Sequence, residues 1–185
     1  MQNLHPTLWR TCRMLSGPAR VRLLRCLHER PGRNVSELAR EVGIGLSDAS
    51  QELRRIQSRG LLQSDRRGVS LIYRMGTDPQ VASASPIMKA LRTAFSADGP
   101  DRDEKILAAA TGLGHPKRIA MLQSIIGSPK STFALHRELR TNFANVQRHV
   151  QQLIESGLVR RDGRTLHYVP PVHPLAKALV KLLPE

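Results

Sequence analysis

Aromatic residues make up only 3% of the 185-residue chain, with Trp9 the single tryptophan. A core so short of large rings has to be filled by Leu, Ile, Val, Met and Ala, which suits small helical domains better than a β-sandwich. Cysteine is nearly as scarce. Cys12 and Cys26 supply neither a disulfide framework nor a thiolate metal cluster. Negative charge is thin: 15 Asp and Glu stand against 29 Lys and Arg, for a formal net charge of +14 and a pI near 11.2. Such an excess points to a polyanionic partner, nucleic acid first and an anionic membrane surface second. Lysine supplies only 6 of the 29 cationic side chains and arginine 23. Guanidinium forks grip phosphates and guanine edges bidentately, so the balance favours nucleic acid. No apolar run approaches the ~20 residues of a membrane span. The opening stretch, Met1 to Leu15, contains Arg10 and Arg13 and no apolar core like that of a secretory leader. The expectation is a cytoplasmic protein without a membrane partner.

The signatures of catalysis are missing as well. There are no paired carboxylates, no Gly-rich phosphate loop and no nucleophile elbow, so no enzyme activity and no cofactor are expected. Seven histidines, His5, His28, His115, His136, His149, His167 and His173, are scattered. None forms a His-x-x-x-His pair backed by a carboxylate, so they read as surface or groove-facing side chains and no metal ligand is assigned. Cys26 shares a helix with Val21 and Leu24 and reads as a small residue at a packed position, although a redox pair with Cys12 stays open.

What the chain does contain is an internal repeat. Leu15 to Leu27, LSGPARVRLLRCL, aligns with Leu113 to Ile125, LGHPKRIAMLQSI, at an offset of 98. With one residue dropped, Leu38 to Val42 matches Leu135 to Leu139, and Leu53 to Leu62 matches Val150 to Val159. Gly68 to Tyr73 then pairs with Gly163 to Tyr168, and Pro86 to Leu91 with Pro174 to Leu179. Turn formers cluster between Ser96 and Arg102. The expected organisation is therefore two domains, residues 1–97 and 98–185. Residues 1–97 carry 16 basic and 7 acidic residues (+9) and residues 98–185 carry 13 and 8 (+5), so each half can meet a phosphate backbone.

In the first copy, residues 5–14 read as a short helix. Pro18 opens the next, where its missing N–H costs nothing, and Pro31-Gly32 ends it. Ser36 is the expected cap of a helix over Glu37 to Val42, stopped by Gly43. Ser47 is the expected cap of another, about Asp48 to Arg59, with Leu53 and Ile56 as its buried stripe and Gly60 as its stop. Two helices joined by a tight Gly-containing turn make a helix-turn-helix, and the second is the recognition helix. Leu61 to Gln63 and Val69 to Arg74 read as two strands around a turn at Asp65 to Gly68. A last helix runs over Ser85 to Ala97.

These pieces, "LSGPARVRLLRCL", "VSELAREVGIGLSDASQELRRIQSRGLL" and "DRRGVSLIYRM", with "LGHPKRIAMLQSI", "ELRTNFANVQRHVQQLIESGLV" and "RDGRTLHYVP" in the second copy, resemble the ArsR family of bacterial winged-helix repressors. The resemblance covers most of both halves and implies a mainly α fold with small β-hairpin wings, in two tandem winged helix-turn-helix domains. It implies a sequence-specific, double-stranded-DNA-binding transcriptional regulator, a repressor. Family members carry one domain and pair as homodimers through their first and last helices. Here the two copies are expected to form that pair within one chain, Leu4 to Met14 and Ile87 to Phe95 meeting Asp103 to Thr111 and Leu175 to Leu183. Further homodimerisation stays open. The family's metal-sensing positions hold no cysteine at Glu37 to Glu41 and no His, Asp or Glu between Val81 and Ala97, so metal sensing is not carried over.

The side chains expected to touch DNA are Ser47, Ser50, Gln51, Arg54 and Arg55 on the first recognition helix and Asn145, Gln147, Arg148, His149 and Gln151 on the second. Arg66, Arg67, Arg160, Arg161 and Arg164 on the wings are expected to grip backbone or minor groove. Two alternatives stand beside this reading: a winged-helix module for protein–protein contact in a larger assembly, and a repressor responding to a small molecule or to redox state.

Overall fold

A computed structural model describes residues 8–97 and 99–184. In the first half the order is α1 (Leu8–Leu15), α2 (Pro18–Glu29), β1 (Arg33–Asn34), α3 (Val35–Val42), α4 (Leu46–Gln57), β2 (Leu62–Arg67), β3 (Ser70–Met75) and α5 (Ala84–Ser96). The second half runs through the same order: α6 (Arg102–Leu113), α7 (Pro116–Gly127), β4 (Lys130–Ser131), α8 (Thr132–Glu138), α9 (Phe143–Glu155), β5 (Val159–Asp162), β6 (Thr165–Tyr168) and α10 (Pro174–Lys181). The fold is thus mainly helical, with two small antiparallel sheets of strand order β1-β3-β2 and β4-β6-β5. The expected helix over residues 5–14 lies partly outside the described residues; its described part is α1.

Local chemistry sets these boundaries. Pro18, Pro116 and Pro174 each open a helix. Ser36 is not the cap of α3. Asn34 holds that place: its Oδ1 accepts from the Glu37 backbone N–H (3.0 Å), and the Glu37 carboxylate accepts from the Asn34 N–H (2.9 Å). This reciprocal box satisfies two otherwise orphaned donors and starts the helix two residues earlier than expected. Gly43 closes α3 in the left-handed region, φ 72°, where a Cβ would be strained. Ser47 is likewise not a cap. α4 starts at Leu46 behind Gly45 without a side-chain cap, and the Ser47 hydroxyl accepts from Gln51 Nε2 at 3.4 Å. In the second half side chains do cap the equivalent helices, Ser131 through the Ala134 N–H and Asn142 through the Ala144 N–H.

The hairpins are longer and their turns tighter than expected. Arg67 pairs with Ser70, leaving Gly68-Val69 as the turn, and Asp162 pairs with Thr165 around Gly163-Arg164. Asp65, Arg66 and Arg67, polar enough to suggest a turn, form the exposed end of the sheet's edge strand instead. Short β1 and β4 add a third strand to each sheet.

Each half packs against the other through equivalent helices: α1 lies on α6 and α5 on α10, with α2, α5 and α10 also meeting α6. Leu15, Leu24, Leu91 and Phe95 from the first half join Ile106, Leu113, Leu122 and Leu179 from the second in one continuous buried core. Arg25 Nε donates to both Asp103 carboxylate oxygens at 3.1 Å, and Arg102 donates to the Phe95 carbonyl at 2.8 Å. Asp103, an acidic residue in the first turn of α6, thus ties that helix to α2. No described helix is long and apolar enough to cross a membrane.

Candidate nucleic-acid interface

α4 and α9 are amphipathic helices that follow α3 and α8 after short turns and lead into the hairpins. α4 buries Ala49, Leu53 and Ile56. Ser47, Asp48, Gln51, Arg54 and Arg55 are exposed, and Ser50 is half-buried. Glu52 is held by Arg20 of α2 (2.5 Å) and by Arg55 (2.5 Å), so it anchors the helix and is not free to meet a base. Ser50 and Arg54 face a groove of about 450 Å³ between α4 and the hairpin, which Ser36, Ser70 and Tyr73 also line. Ser36, displaced from the capping position by Asn34, stands in the first turn of α3 on the same groove as Arg54.

On α9 the inward stripe is Val146, His149, Val150 and Leu153. Gln147, Arg148 and Gln151 are exposed, and Asn145 is half-buried with its Oδ1 accepting from Arg148 Nη2 at 3.1 Å. Gln151 and Gln152 both donate to Glu155.

His149 is the correction to the expected contact set. It is 4% exposed and stacks on His115 with ring centroids 4.5 Å apart, so it does not reach the groove. The spacing contained the signal: His149 lies three residues after Val146 and four before Leu153, on the buried face. Burial, with His115, Arg118, Arg148 and Lys117 nearby, pushes its pKa down to about 4. The folded chain therefore keeps His149 neutral, whereas the unfolded chain takes up a proton below pH ~6.5. Stability from this group is complete above that pH and is lost on acidification towards 4. Between pH ~6.5 and ~4.5 the loss amounts to roughly 2–3 kcal/mol. His149→Leu should flatten that part of the pH profile in urea unfolding; an unchanged wild-type slope in the variant would refute the assignment.

The hairpin arginines Arg66, Arg67, Arg160, Arg161 and Arg164 are all exposed. Neither they nor Arg54 and Arg148 make an ion pair among the described residues. Each helix of the pair also starts with an exposed apolar side chain, Leu46 (55%) and Phe143 (41%), which the sequence reading passed over. Among the described residues no group of three or more His, Cys, Asp or Glu is placed to hold a metal ion. Cys12 and Cys26 are both buried and unbridged. Burial pushes the Cys12 thiol up to about 12 and raises that of Cys26, which disfavours the reactive thiolate at both. The chain matches no protein-family model and no curated protein.

Proposed function

We propose that the chain is a cytoplasmic, sequence-specific DNA-binding transcriptional repressor built from two tandem winged helix-turn-helix domains. The observation that carries this reading is the repeated outward face: two helices, each following a short turn and leading into a hairpin, with seven exposed arginines free of ion pairs among the described residues, Arg54, Arg66, Arg67, Arg148, Arg160, Arg161 and Arg164. Such charge left uncompensated in a +14 chain fits a polyphosphate backbone. The pairing of α1 with α6 and of α5 with α10 supports a one-chain counterpart of a symmetric dimer, because each helix meets its own equivalent. The recognition helices α4 and α9 then enter successive major grooves about 34 Å apart.

The two halves read different bases. Gln147 and Arg148 of α9 suit bidentate contacts with adenine and guanine, whereas α4 presents Ser47, Asp48 and Gln51. Leu46 and Phe143 offer apolar surface to thymine methyls. Selection from a randomised duplex library tests the proposal, and an imperfect palindrome is the expected motif. Arg148→Ala should cost about 1–3 kcal/mol and relax preference at one position, whereas Arg66→Ala should weaken all sequences alike. Failure to enrich any motif, or an Arg148→Ala protein with unchanged preference, counts against it.

A further inference from the structure

A second cationic feature shares only Arg55 with the side chains expected to touch DNA. Arg10 and Arg13 of α1, Arg20 of α2, Arg55 of α4 and Arg59 just beyond α4 line one pocket of about 370 Å³, together with Met14 and Ser58. Glu52, paired with Arg20 and Arg55, is the one carboxylate engaged with this cluster among the described residues. Five guanidinium groups against one carboxylate repel one another. The C-terminal end of α4 offsets this by only about half a charge.

The other half of the molecule shows that the fold does not require these arginines. At the repeat offsets, Ala108 stands for Arg10, Thr111 for Arg13, Gln152 for Arg55 and Ser156 for Arg59; Arg118 alone is kept, for Arg20. The two flanking helices also lie closer together there. Gly112 takes the place of Met14, and a Cβ on Gly112 would lie 2.5 Å from Ser156 Oγ, so α6 sits directly on the end of α9. The equivalent helices α1 and α4 make little contact, and the gap between them is the pocket.

We propose that this pocket binds a small phosphate-bearing molecule, through its di- or triphosphate group. Guanidinium forks match phosphate oxygens in pairs, and the volume falls within the ~300–1,000 Å³ of small-molecule sites. DNA phosphates fit less well: a two-half-site duplex offers equivalent phosphates to both halves, yet the cluster exists in one. A ligand that engages Arg20 and Arg55 competes with Glu52, loosening the bridge that fixes α4 on α2. That it thereby lowers DNA affinity rests on the proposed function; the binding itself does not.

The test uses the full chain without DNA, titrated with inorganic pyrophosphate and followed by the emission of Trp9, over whose ring the Arg10 guanidinium lies at 5.3 Å, and by calorimetry. Sodium chloride at matched ionic strength is the control. The variant is R10A/R13T/R59S, which installs the residues of the other half and should keep its thermal midpoint. Saturable pyrophosphate binding, weakened about tenfold or more in the variant, is the expected result. A response equalled by sodium chloride, or one the variant retains, overturns the proposal. So does a variant that lacks only part of the salt dependence of DNA binding while neither protein binds pyrophosphate, since the arginines then serve the duplex. Pyrophosphate binding in a chain that selects no DNA motif leaves this site standing and removes the proposed function instead.

Discussion

Affinity for a selected duplex is expected to fall by roughly 10³-fold or more between about 50 and 200 mM salt. Six phosphate contacts suffice, each releasing condensed counterions and together giving a slope near −5 in log affinity against log salt. Arg66 and Arg67 on one hairpin, and Arg160, Arg161 and Arg164 on the other, are exposed and without ion pairs among the described residues. With Arg54 they make up that number. Their side chains have no carboxylate to leave before meeting a phosphate, so little of the gain is spent on breaking intramolecular pairs. Arg55 differs, because Glu52 already holds it, and Arg55→Ala should reduce the slope less than Arg66→Ala. The measurement is a binding isotherm at five or more salt concentrations. An affinity flat over this range rules out docking through these arginines and favours a protein–protein role for the same faces.

The second large effect concerns separation of the halves. Residues 1–97 expressed alone should self-associate or precipitate instead of remaining a soluble monomer. Leu15, Leu91 and Phe95 are buried in a core completed by Ile106, Ala110, Leu113 and Leu179 of the other half. Removing the second half uncovers the faces of α1 and α5 that α6 and α10 cover. It also strips Arg25 of Asp103. An apolar patch of that extent on a small domain drives association. Light scattering of the truncated chain decides the matter. A monodisperse monomer with native helix content would show that the halves are independent, against the single core described above.

Much of this architecture was legible from the chain alone, because its punctuation is chemical. Pro18 marks a helix start, Gly43 a helix stop and Gly68 a turn, and the offsets of the repeat align the elements. The pairing of α1 with α6 and of α5 with α10 followed from a resemblance, not from any residue pattern. The errors came where several residues could play one part. Asn34 and Ser36 are both capping types, and only the backbone path selects Asn34, with Glu37 placed to reciprocate. His149 holds the position in the second half that Glu52 holds in the first. Both sit at the border of the buried stripe, where a charged Glu52 reaches out to Arg20 while a neutral imidazole turns in against His115. The arginine pocket was not legible at all. Its members lie on three helices, and the gap between α1 and α4 depends on Met14 standing where the other half has Gly112.

The shared core also sets the timing of synthesis. When Ser96 is joined to the chain, α1 and α5 are complete, but α6 and α10, which cover them, have yet to be made. At about 5–20 residues per second, α6 is complete roughly 1–3 s later and α10 roughly 4–17 s later. Helices form in microseconds and ~100-residue chains collapse within about 100 microseconds, so α1 is covered soon after α6 is made, whereas the face of α5 that α10 covers stays open for nearly as long as the first half took to make. Carrying both halves in one chain thus replaces the search for a partner subunit by a wait on the ribosome, so the covering helices arrive at the pace of translation and not at that of a bimolecular encounter.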